Sequence, residues 1–115
     1  MNIYQALRCL GVLAALVAYA SPSHAGDFTN CTVEEIVLAG DQNGHARLNC
    51  PIANLPPCAS QSWVAFDKST LGGRQYLAML TYAQSIGARV EGYITQTCSP
   101  YQPNVALLNH LRVTR

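Results

Sequence analysis

The chain has little charge and few of the motifs that carry chemistry. Its 115 residues include seven Lys or Arg and six Asp or Glu, for a net charge of +1. No basic patch or stripe stands out, which excludes the electrostatic footprint of a nucleic-acid binder. No basic amphipathic run points to a membrane surface. The sequence has no P-loop, no G-x-S-x-G, no H-E-x-x-H and no G-x-G-x-x-G, and that removes the common nucleotide, hydrolase and metalloprotease signatures. The Gly72-Gly73 pair lacks the rest of any phosphate-binding loop. No cysteines stand in a C-x2-C pair, and His45 and His110 sit at no regular ligand spacing. A zinc site and a cofactor therefore find no support.

A long hydrophobic run is also missing. The apolar stretch at residues 9–20 is 12 residues long, where a bilayer span takes about 20. Arg8 precedes it, and Ser21-Pro22-Ser23-His24-Ala25 follows. That order is the charged, apolar and small-residue succession of a secretory signal peptide. Residues 1–25 are read as that signal, with cleavage after Ala25 and a competing site after Ala20. Cys9 leaves with it, and no membrane insertion is expected. The remaining residues, 26–115, suit a single domain with a small core. Without Arg8 they carry six basic and six acidic residues. Four cysteines stay behind: Cys31, Cys50, Cys58 and Cys98. An even number in a small exported chain reads as a disulfide framework in a secreted or periplasmic protein.

Residues 32–39 are rich in β-branched side chains and read as a strand. Asn43-Gly44 is a hairpin-turn signal, and residues 45–50 alternate as the second strand. Pro51, Pro56 and Pro57 make the next stretch a loop. Residues 62–67 form the third strand. Ser69 or Thr70 can cap a helix over residues 71–86, with Tyr76, Leu77, Leu80, Ala83 and Gln84 sharing one face. Gly87 suits the left-handed position that ends it. Residues 88–98 alternate again, with Val90, Gly92, Ile94, Gln96 and Cys98 on one side and Arg89, Glu91, Tyr93, Thr95 and Thr97 on the other. Residues 105–113 complete the set, with Leu107, Leu111 and Val113 facing in. Five strands with one helix between the third and fourth is the order of an OB-fold barrel. In that barrel the first and fourth strands are antiparallel neighbours. The expected disulfides are therefore Cys31–Cys98 and Cys50–Cys58.

Asp67 ends a strand next to a helix start, where a carboxylate accepts backbone N–H bonds. That accounts for it without catalysis. Glu34 and Glu35 are adjacent, so on a strand they point to opposite faces. His45 and His110 are expected at the surface. Four tyrosines remain after residue 25: Tyr76, Tyr82, Tyr93 and Tyr101. An outward Tyr93, with Arg89 on the same side of its strand, is the candidate ligand-binding pair, since aromatic faces beside polar groups suit sugars and interfaces.

The stretch from Trp63 to Cys98 joins a tryptophan-bearing strand, a Tyr/Ala/Leu-rich helix ending in Ile86-Gly87, and Val90-x-x-Tyr93. It resembles the B subunits of subtilase-cytotoxin and typhoid-toxin type, and small exported bacterial proteins related to them. The resemblance covers 36 residues and implies an OB-fold subunit of a homopentamer that binds sialylated host glycans and accompanies a catalytic A-type subunit. This chain departs from the family in having no second cysteine soon after Cys98, and no counterpart of the polar segment that helps form the family's sugar pocket. No pocket residue is carried over. A pentamer would turn a second helix face, Ala78, Met79, Tyr82 and Ile86, to its neighbours. The reading is a non-enzymatic binding module. The alternative is a periplasmic inhibitor or accessory protein acting as a monomer on a protein partner. A small hydrolase is the least supported class.

Overall fold

The computed structural model describes residues 26–114. The expected signal segment, with Cys9 and both cleavage alternatives, lies outside the described residues. The elements are β1 (Asp27–Cys31), β2 (Val33–Ala39), β3 (Asn43–Leu48), β4 (Trp63–Asp67), α1 (Leu71–Ile86), β5 (Arg89–Cys98) and β6 (Ala106–Thr114). The fold is mainly β, with one helix among the described residues. The strands form one sheet in the order β1-β5-β6-β4-β3-β2. Neighbours are antiparallel except β4 and β6, which are parallel.

The expected five-stranded barrel is corrected in two respects: there are six strands, and the sheet is not closed. The extra strand is β1. Its sequence, DFTNC, has only Phe28 and Cys31 to bury, too little for a pattern of its own. It pairs with β5, from Asp27 opposite Tyr93 to Cys31 opposite Val90. Thr32 then separates it from β2, which pairs with β3 instead. The two edge strands of the sheet are thus one residue apart in the chain.

The turn between β2 and β3 also differs from expectation. Gly40, with φ 63°, supplies the left-handed residue, while Asn43 and Gly44 already belong to β3. Gly44 serves a close approach: a Cβ there would lie 2.3 Å from Cε2 of Phe66. Helix α1 follows its sequence signals. Thr70 accepts a hydrogen bond from the Gly73 amide at 2.9 Å, and Gly87 takes φ 67° at the other end. Asp67 accepts from the Ser69 amide at 2.9 Å, as its place before the helix requires. Leu80 and Ala83 are fully buried, with Tyr76 and Leu77 packed beside them. Gln84 is instead exposed and donates to the Glu34 carbonyl.

Val90, Gly92 and Ile94 of β5 face the core as their alternation dictates. On β6 the pattern is off by one. Tyr93 lies opposite His110, but Ile94 lies opposite Leu108, so Asn109 is an extra residue. Such a bulge reverses which side chains face in. Leu108 is therefore buried and Leu107 only half-buried. Leu111 is buried as expected.

All four cysteines among the described residues are paired, but differently from expectation. The bonds are Cys31–Cys50 and Cys58–Cys98, with Cα atoms 5.4 and 6.3 Å apart. The missed strand explains the error. Cys31 is at the end of β1, not at the start of a strand, so its antiparallel neighbour is the beginning of β5. Cys98 is eight residues further on. Cys50, two residues past β3, lies beside the β1–β2 joint, and the proline loop carries Cys58 to the end of β5. Two disulfides point to an oxidising, extracytoplasmic compartment.

Non-reducing peptide mapping should return Cys31–Cys50 and Cys58–Cys98. Recovery of a Cys31–Cys98 peptide would overturn this topology. The bonds close separations of 19 and 40 residues. Chain entropy then predicts losses of about 3 and about 4 kcal/mol in denaturant melts when each pair is changed to serine.

Candidate functional site

The outward faces of β1, β5 and β6 meet around Tyr93. Its side chain is 51% exposed. Register sets Tyr93 between Asp27 on β1 and His110 on β6. The Tyr93 and His110 rings lie 5.2 Å apart at 33°. The neighbouring cross-strand pair is an ion pair, Arg112 Nη1 to Glu91 Oε1 at 3.2 Å. These groups, with Thr29, line a shallow depression of about 170 Å3. Phenol, imidazole, guanidinium and carboxylate thus open onto one concavity. His110 is exposed, as expected of the outer face.

Arg89 does not join this site. It is exposed at the other end of the helix–strand turn, in a separate hollow with Ile86, Gly87 and Ala88. Sharing one side of a strand placed Arg89 and Tyr93 on the same face, but not in the same concavity.

The helix face expected for self-association is present in part. Ala78 is exposed, and Tyr82 and Ile86 are 50% and 49% exposed. Met79 is half-buried and packs against the core, so it belongs only to the margin. Leu71, 67% exposed, extends the face toward the helix start. No charged residue occurs between Gln75 and Ile86.

A second concavity, which alternation alone could not reveal, lies over β3 and β4. His45 is half-buried, not fully exposed, and its ring lies 5.2 Å from that of Trp63. Both residues face outward on adjacent strands, and only the register, with His45 opposite Ala65, brings the rings together. Ser60, Gln102, Asn104 and Val105 complete a cleft of about 210 Å3. Beside it, Arg47 is paired with both Glu34 and Glu35. Strict alternation would send those carboxylates to opposite faces. A register shift between Val33 and Glu35 brings both to one guanidinium. Among the described residues, no group of three or more His, Cys, Asp or Glu is placed to hold a metal ion. No helix there is long and apolar enough to cross a membrane.

Burial against Trp63 lowers the His45 pKa below the ordinary histidine value, and the Glu35 carboxylate offsets part of that shift. The folded chain therefore holds its proton less tightly than the unfolded chain. Stability from this group is complete above the unfolded pKa of about 6.5 and is lost as pH falls through the lower folded value. Thermal melts from pH 7.5 to 5 should fall more steeply for the native chain than for His45→Gln. Equal slopes would show that His45 is not the group responsible.

Comparison with protein-family models, curated proteins and solved structures finds no match to this chain.

Proposed function

We propose that this chain is an exported, non-enzymatic binding module that recognises a glycan through the Tyr93 face. The observation that carries the reading is a half-exposed tyrosine ring set among Asp27, Glu91, His110 and Arg112. A sugar presents C–H faces to such a ring, while its hydroxyls exchange hydrogen bonds with carboxylate and guanidinium groups. The apolar stretch at residues 9–20 supports export through a signal peptide, and the paired cysteines suit the secreted or periplasmic space.

The architecture in this reading is OB-like. If β1 and β2 are the two halves of one strand bent at Thr32, the six strands become five, with the helix between the third and fourth. Such barrels are commonly partly open. The toxin-B resemblance adds assembly. Leu71, Ala78, Tyr82 and Ile86 form an outer helix face, with Arg74 its one charged neighbour, suited to a second copy in a homopentamer serving a catalytic A-type subunit. The alternative, a monomeric inhibitor or accessory protein, would turn the same face to a different periplasmic protein.

Light scattering after size exclusion of oxidised residues 26–115 should give a mass near five protomers. A monomer would remove the pentamer and favour the alternative. On a glycan array, Tyr93→Ala should weaken any hit roughly tenfold, the scale of a lost aromatic contact. Unchanged binding by that variant would overturn the Tyr93 face.

A further inference from the structure

We propose that the Trp63 cleft is a second binding site, one that takes a single neutral sugar ring. It does not rest on the Tyr93 reading, because it shares no residue with that face.

The cleft is built on the outer surface of β3 and β4. Ala65, opposite His45, is fully buried beneath that surface, and Val105 supplies the aliphatic part of the lining. The Trp63 and His45 rings line the cleft together, inclined at 53°. The wall facing them is a chain of amide and hydroxyl groups. Asn43 Nδ2 donates to Gln102 Oε1 at 3.2 Å, and Gln102 Nε2 donates to Asn104 Oδ1 at 2.9 Å. Asn104 Nδ2 reaches Ser60 Oγ at 3.5 Å, and the Ser60 amide donates to the Asn104 carbonyl at 2.7 Å. Asn43 Oδ1 is within 3.3 Å of His45 Nδ1.

This wall is held from behind. Cys58 precedes Ser60 by two residues, Cys98 precedes Gln102 by four, and the two cysteines are bonded. One covalent link therefore fixes both loops that bear the wall. Groups held in place before a ligand arrives lose little freedom on binding it.

Ligand class follows from what lines the cleft. It has aromatic rings, amides and a hydroxyl, and no carboxylate, lysine or arginine. A charged ligand would meet no counter-charge there. Side-chain amides both donate and accept, as does serine, and that matches hydroxyl groups, which do the same. Trp63 offers an apolar face for the C–H surface of a sugar. Size narrows the choice further: drug-sized ligands occupy pockets of about 300–1,000 Å3, whereas about 210 Å3 suits one ring.

Trp63 is the only tryptophan in the chain, so its fluorescence reports this cleft alone. The oxidised protein is titrated with the methyl glycosides of glucose, galactose, mannose and N-acetylglucosamine, and with sialic acid. The expected result is a saturable change in emission with at least one neutral glycoside and none with sialic acid. Asn104→Ala, at an exposed position, should weaken it roughly three- to tenfold, the scale of a lost hydrogen bond, with near-UV circular dichroism unchanged. Tyr93→Ala should leave the titration as it was. Three results would each overturn the proposal: no saturable change with any neutral glycoside up to its solubility limit, an equal response to sialic acid, or an unweakened response in a folded Gln102→Ala, Asn104→Ala double variant. A failure confined to Tyr93→Ala on the glycan array would bear on the other face only.

Discussion

The structure depends on one tethered joint. At Thr32 the chain leaves β5, its first partner, and takes up β3, its second. The change of neighbour costs ladder hydrogen bonds at the crossing, and three local ties replace them. Thr32 donates its amide to Asn49 Oδ1 at 2.8 Å, and its carbonyl accepts from the Asn49 amide at 3.1 Å. Cys31, next to it, is bonded to Cys50. These ties join the two edge strands beside Cys31 and Val33, which belong to the same buried core as Val90, Ile94, Val64 and Leu80. A chain this small buries a limited core, so covalent ties replace apolar area that it does not have.

Irregular pairing then decides what the surface presents. The extra residue at Asn109 keeps Leu108 and Leu111 both inward despite their odd spacing, and it leaves His110 beside Tyr93. The shift after Val33 brings two glutamates to one arginine. In the second case a departure from period two collects polar groups that strict alternation would scatter. The two concavities lie on outward faces of strands whose inward faces are committed to the core.

The two sites differ in charge and in support. Around Tyr93 the charged groups are borne by regular strand positions, and all but half-buried Glu91 are exposed, so solvent screens them and they contribute little to stability. Around Trp63 the lining is neutral and mostly half-buried, with Asn104 exposed and Val105 buried, and a disulfide anchors the loops that form it. The helix lies apart from both, its inner stripe committed to the core and its outer stripe free of charge beyond Arg74. One small sheet thus separates a charged face, a neutral cleft and an apolar helix surface.

Local signals in the sequence determined the elements that depend on neighbours within a few residues. Thr70 and Gly87 bound the helix because a cap and a left-handed residue act over one turn. Strand alternation placed Tyr93 outward and Ile94 inward for the same reason. The even set of four cysteines after residue 25 announced two crosslinks. Register, strand partners and crosslink pairing were decided only by the tertiary structure. β1 has two core residues and no periodic pattern, so its existence follows from pairing with β5. Missing it misplaced Cys31 and with it both disulfides. The Trp63 cleft was equally hidden, since Asn43 and Gln102 are 59 residues apart and meet only when two loops fold over one face of the sheet. Alternation says which way a side chain points. Which neighbour it then meets is set by how strands far apart in the chain align, and short-range sequence carries no measure of that.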